Sequence, residues 1–306
     1  MLNYLVTRGL RSALTIMLVV TFTFIILRLS GDPAMMILSA DAPPEAIDAF
    51  RQSWGLDAPL SHQYFGYLRN IASGNFGVSM RNGSPAMSLV IQAIPATLAI
   101  TLPAFVLKLL LGIPAGIFAA FHRNTWLDRL IMSLSVAGHS LPSFVLGVLL
   151  VLIFAVMLGW LPSGGYASWE HALLPIITLS IGGAAVLARY TRSAMLEVLG
   201  QPYIRAASAK GLTWHKVVLR HALPNAAAPI LTIVGLMFGA LIAGAVVVES
   251  VFSWPGVGRL IVSAVANRDL AVVQAALLLV TTCMVSANLL VDALNVMIDP
   301  KLRSAR

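Results

Sequence analysis

An all-α integral membrane protein with six transmembrane helices is the fold class this sequence predicts, and three observations carry the prediction. Of its 306 residues, 58% are hydrophobic and only 10% are charged, against roughly a quarter charged in an ordinary soluble domain. Mean hydropathy is +0.88. Long apolar runs recur along the chain, several of them near the roughly 20 residues that an α-helix needs to cross the hydrocarbon core. The formal charge of +8 is not gathered into a basic run with interleaved aromatics. It therefore describes no nucleic-acid surface, and topology has to account for it.

The first span is expected over about 9–29, with Arg8 and Arg11 ahead of its apolar stretch from about Ser12 to Leu29. Its apolar stretch exceeds the roughly 7–15 residues of a signal-peptide core, and the cleavage-like Ala40-Asp41-Ala42 stands well beyond its end, so the span is read as retained. An external cap follows over about 31–88, carrying Asp32, Asp41, Glu45, Asp48 and Asp57, with a helix-like stretch from Pro44 to Trp54. Further spans are expected at about 95–121, 130–158, 173–190, 224–248 and 271–294, bounded by charges or by Gly and Pro. The lone cysteine, Cys283, lies in the last and reads as a small core residue. With the N-terminus cytoplasmic, 13 Lys and Arg fall on that side, 6 on the other, and Lys108 inside a span. Both termini are then cytoplasmic by the positive-inside rule.

The long cytoplasmic loop, about 196–224, has a pattern of its own. Residues 202–210 have helix-forming composition, Gly211 interrupts them, and Thr213 is a candidate N-cap for a second short helix to about Ala222, with Pro224 opening the next span. Leu212, Trp214, Val217 and Val218 stand among Lys210, His215, Lys216 and Arg220. That pattern suits an amphipathic helix on the anionic inner leaflet or a docking site for a partner protein equally well.

Arg205-Ala206-Ala207, three residues, Gly211 and finally His221-Ala222-Leu223-Pro224 resemble the EAA loop of bacterial ABC importer permeases. Arg205 stands where that pattern has Glu and His221 where it has Ile, departures similar to those of the dipeptide, oligopeptide and nickel branch. Gly31-Asp32-Pro33, Gly74-Asn75-Phe76-Gly77, residues 191–195 (TRSAM), 252–259 (FSWPGVGR), Asn267-Arg268-Asp269 and Asp299-Pro300 resemble the same branch, in order along the chain, as its B-type subunit. The resemblance implies the type I importer permease fold in a bacterial cytoplasmic membrane. It implies a second, homologous permease subunit, two ABC ATPase subunits that bind ATP and Mg, an external solute-binding protein, and a coupling helix at the ATPase contact formed by Arg205, Ala206, Ala207, Lys210, Gly211, Leu212 and Pro224. Peptides lead as the solute class, followed by glutathione-like solutes, opines and nickel.

Other candidates carry less. None of the four lysines follows a glycine, so no Walker A loop can be written, and neither a cofactor site nor an enzymatic activity is expected of this chain. His215 and His221, six apart, fall on different helix faces, and no metal site is expected. Ser140 and Ser143 beside His139 lack an acidic orienter, and Pro142 reads as a kink. Gly112/Gly116 and Gly235/Gly239 match the spacing that lets helices pack closely. Lys108 near mid-span is a candidate for the pathway or for intramembrane pairing, while Glu249 and Asp292 near span ends read as structural. The rival class, an ATP-independent secondary transporter or channel, would call for carboxylate relays inside spans and repeated halves. The sequence displays neither.

Overall fold

A computed structural model describes residues 2–29, 31–38, 42–241 and 245–298. Asp41, Asp299-Pro300 and the basic residues Lys301, Arg303 and Arg306 lie outside the described residues, as does the side chain of Asp292. The described chain is helical almost throughout: α1 (Leu2–Leu29), α2 (Pro33–Ile37), α3 (Pro44–Ser53), α4 (Leu60–Ala72), α5 (Ala86–Phe121), α6 (Trp126–Ser140), α7 (Ser143–Leu150), α8 (Glu170–Leu199), α9 (Pro202–Ala209), α10 (Trp214–Val217), α11 (Leu223–Gly239), α12 (Val246–Val251), α13 (Val257–Ala266) and α14 (Leu270–Ile298).

Among the described residues five stretches are long and apolar enough to cross a membrane, namely Thr7–Leu29, Ala86–Phe121, Glu170–Leu199, Trp214–Gly239 and Leu270–Val291. The stretch expected as one span at 130–158 is instead broken: α6 and α7 bend by 98°. Pro142 is the reason, because the residue before a proline is pushed out of the helical region, and Leu141 is extended with ψ 121°. Beyond α7 the chain winds as a wider π-helix over Val151–Met157.

The helices group into two compact units. One comprises Leu98–Trp254 with the C-terminal stretch from Met284. Its α8 carries a buried stripe including Leu187, Ala188, Thr191, Ala194 and Met195. The expected small-residue contacts lie here. A Cβ on Gly112 would stand 2.8 Å from the Ala184 carbonyl, and one on Gly116 2.5 Å from that of Ala188. A Cβ on Gly239 would meet Asn288 Oδ1 at 2.6 Å, and one on Gly235 would collide with Val291. The two glycine pairs thus seat α5 on α8 and α11 on α14 at distances that no side chain permits. Phe252, buried against Gly147 and Gly164, closes a second cluster with Leu174 and Val248, and Glu249 beside it is fully buried with a partner of its own.

The other unit comprises Leu2–Thr97 and Pro255–Cys283. Asp32 caps α2 by accepting from Ala34 N at 2.9 Å, with Pro33 in the first turn, where its missing N–H costs nothing. In Gly74-Asn75-Phe76-Gly77 both glycines have φ 77°, and Asn75 Oδ1 accepts from Gly77 N. Asp269 is buried, with Ser79 Oγ and Met80 N donating to its carboxylate, and Val257 N donates to buried Thr97 Oγ1 at 2.8 Å.

Candidate functional site: the coupling segment and its anchors

The segment from α9 to the start of α11 has two faces. On one, Ile204 and Ala207, 3% and 8% exposed, join Val217 and Ala222 in a cluster with Leu187, Ala194 and Met195 of α8, Ala120 of α5 and Ala226 and Ile230 of α11. Leu212 packs against the same cluster. Burying an isoleucine contributes about 1.5–3 kcal/mol, so α9 is seated firmly on the ends of the membrane helices. The other face is open: Arg205, Ala206, Ser208, Lys210, Gly211, Trp214, His215, Lys216 and Arg220 are all exposed. Among the described residues Arg205 reaches only the Gly200 carbonyl, at 3.4 Å.

This arrangement divides the expected contact residues. Arg205, Ala206, Lys210, Gly211 and Pro224 face outward, while Ala207 and Leu212 face the chain's own core. The split follows from helical spacing, since Ile204 and Ala207, three apart, share a face and Arg205 and Ala206 point elsewhere.

Gly211 has φ +82°, and a Cβ built there meets nothing within 4 Å. Its requirement is therefore backbone conformation alone, the left-handed region that L side chains disfavour. Thr213 takes the N-cap position but makes no side-chain cap. The second helix does not stop before the next span: α10 passes through a π-helical turn, Val218–Ala222, directly into α11, so 214–239 is one continuous rod. Pro224 has no N–H to offer the preceding turn, and the wider bonding of a π turn at that point is how the rod continues past it.

A second anchor escaped the sequence reading. Arg192 on α8 donates to Asp128 on α6 through Nε at 2.6 Å and through an Nη at 2.7 Å. The Asp128 side chain is 4% exposed and also accepts from Asn124 N. This two-pronged pair ties α6 to α8 one turn before the coupling segment begins. Arg192 falls in the 191–195 motif, but no spacing in the sequence points to Asp128.

Lys108 is half-buried, with its stem laid over Gly183: a Cβ there would stand 2.5 Å from Lys108 Cδ. It continues the glycine stripe of α5, since Ala104, Lys108, Gly112, Gly116 and Ala120 recur every fourth residue. Among the described residues no hydrogen bond or ion pair of its ammonium is found, and no group of His, Cys, Asp and Glu that could hold a metal is present.

The comparisons with known proteins are consistent along the whole chain. The profile of the family described as "Binding-protein-dependent transport system inner membrane component" matches residues 112–304, and that of its N-terminal membrane component matches residues 1–101. The chain belongs to this family. The glutathione transport system permease protein GsiC of Escherichia coli (strain K12) is 45% identical over 99% of both chains, and that of Shigella flexneri serotype 5b (strain 8401) is 44% identical over the same share. An inward-facing structure of the MetNI methionine ABC transporter superposes with a TM-score of 0.60 at 22% identity, covering 70% of this chain and 98% of that one. That likeness shows the fold, the type I importer permease architecture. As a member of the family the chain is a multi-pass membrane permease of a binding-protein-dependent importer, and the relatives named here are transport permeases rather than enzymes.

Proposed function

We propose that this chain is one half of a permease pair in an ATP-driven importer of small peptide-like solutes, glutathione-like ones foremost, with opines and nickel less favoured. The segment 196–224 is its contact to a cytoplasmic ATPase. The observation that supports this reading is the two-faced coupling segment, apolar and locked to α8 and α11 on one side, cationic and exposed on the other. Arg205, Lys210, Lys216 and Arg220 give the outer face four positive charges, suited to an acidic groove. The partners are a second, homologous permease, two ATPase subunits that hold ATP and Mg, and an external binding protein. The chain lies in a bacterial cytoplasmic membrane with both termini cytoplasmic. The solute class is supported by the permeases that are 44–45% identical.

In this account closure of the ATPase pair displaces α9. Because Ile204 and Ala207 are packed among Leu187, Ala194 and Met195, α9 cannot move without α8, and the Arg192–Asp128 pair carries α6 along. The glycine contacts keep α5 on α8 and α11 on α14, so the helices move as close-packed pairs. Lys108, on the α5 seam, lines the pathway or pairs with the second permease. Single cysteines at Arg205, Ala206, Ala207 and Lys210 in a Cys283→Ser background, carrying a photoactivatable thiol reagent, test the contact. The proposal expects ATPase adducts from 205, 206 and 210 and few from 207. Adducts to phospholipid with none to ATPase would refute it.

A further inference from the structure

The unit containing the external cap holds two adjoining cavities of about 250 and 300 Å³, and both are lined by Arg28 and Gln63. The guanidinium of Arg28 lies over the Phe24 ring at 5.5 Å, and its Nε is buried without a hydrogen-bond partner. Gln63 gives its amide N–H groups to the carbonyls of Leu56 and Ala58, which leaves its buried Oε1 unpartnered. Trp54 and Tyr67 wall the first cavity, and Asn70, Asn75 and Gln274 edge it with amides. Burial pushes the Tyr67 phenol well above its ordinary range, so it stays a neutral donor.

The charges around this space do not balance. Asp32 is taken by Arg51, through Nε at 2.8 Å and an Nη at 2.6 Å, a pairing that holds Arg51 above its ordinary pKa through the hydrogen bond and charge of Asp32. Gly31, which lines the second cavity, lacks the side chain that would collide with the Arg268 guanidinium lying against it. Asp269 next to Arg268 is occupied by Ser79 and Met80. Arg28, which lines both cavities, thus has no carboxylate of the described residues paired to it, and neither has Arg268, which lies against Gly31. Burying a cation without a counter-charge is costly, and a partly buried guanidinium over an aromatic ring, beside unpaired amide groups, is chemistry for a planar carboxylate on a body that carries peptide bonds.

We infer that the Arg28 cavity of the cap is a solute subsite, which takes a small peptide-like molecule through its free carboxylate while the amides of Gln63, Asn70, Asn75 and Gln274 meet its peptide groups. This rests on the importer reading above and goes beyond it in placing a solute contact on the permease itself, ahead of the membrane pathway. A solute handed over by the binding protein would be held here by its acid end.

The test uses the complete complex of permeases and ATPases in phosphatidylcholine nanodiscs, titrated with glutathione, tri-alanine and the C-terminal amide of tri-alanine. The wild type should bind both free acids and not the amide. Arg28→Gln should weaken the free acids about tenfold or more, whereas Arg28→Lys should retain part of the binding, which separates lost charge from a lost fold. Equal binding of acid and amide, no binding of either acid by the wild type, or unchanged binding in Arg28→Gln would overturn the subsite. So would an Arg28→Gln defect that appears only when the binding protein is added to the nanodiscs. Copurified ATPase keeps the two readings apart: its absence from the wild-type complex sinks the importer reading, and its presence with unaltered peptide binding in Arg28→Gln sinks the subsite alone.

Discussion

Replacing Gly211 separates a backbone requirement from a contact requirement. With φ at +82° and nothing within 4 Å of an added Cβ, any penalty is local: about 1–2 kcal/mol for an ordinary L residue in the left-handed region, and the upper end or more for a β-branched one. Asparagine, which tolerates that region, should cost a fraction of this. At about 1.4 kcal/mol per tenfold, Gly211→Val should lower the population of the native turn by a factor of about 30, and Gly211→Asn by a factor of about 2–3. The turn joins α9 to the 214–239 rod, so the loss should appear as ATPase attachment and coupled transport falling in the order Gly, Asn, Ala, Val, with membrane insertion unchanged. The assay is copurified ATPase per permease, with uptake measured in the same preparation. Wild-type values for Val would refute the coupling role, and equal damage from Asn and Val would show that the partner, rather than the backbone, excludes a side chain.

Asp128→Asn removes the charge that Arg192 grips while leaving the arginine half-buried. Breaking such a pair costs about 3–5 kcal/mol, so the thermal midpoint of the purified complex should fall, and Asp128→Asn with Arg192→Gln should recover part of the loss. Gly116→Leu should lower the yield of folded permease far more than Gly211→Leu, because its Cβ would stand 2.5 Å from the Ala188 carbonyl, as size-exclusion profiles would report. Gly183→Val should destabilise through the Lys108 stem, and Lys108→Ala should rescue it; no rescue in melting curves would show that the stem is not what fills the notch. A cysteine at Arg81 should react with an impermeant thiol reagent in intact cells and one at Arg123 should not, and the reverse pattern would invert the topology.

Hydropathy made the long helices visible, because a lipid-facing run must be apolar along its whole length whatever it packs against. The two glycine pairs were equally visible, since their spacing alone brings small residues to one face. What composition could not supply was direction in short, locally ambiguous stretches. Ala206 and Ala207 are adjacent and identical in type, yet one faces out and the other joins the core, decided by the neighbouring Ile204. The π turn before Pro224 and the 98° bend at Pro142 both sit at prolines, but the residue type foretells only that a regular helix is interrupted. Lys108 and the Gly112/Gly116 pair read as separate features until the four-residue spacing from Ala104 to Ala120 joins them. Asp128 and Arg192, like Arg28 and Arg268, are distant in sequence, and only the folded chain brings their charges together or leaves them unmatched.

The central claim is that uptake through this permease is driven by ATP hydrolysis on partner subunits. Uptake of labelled glutathione should be measured in vesicles carrying the permease pair and ATPases with their outer face outward, ATP enclosed and the binding protein supplied outside. The account predicts uptake that requires both ATP and the binding protein and is indifferent to a protonophore. Uptake that persists without ATP and collapses when the proton gradient is dissipated would contradict it.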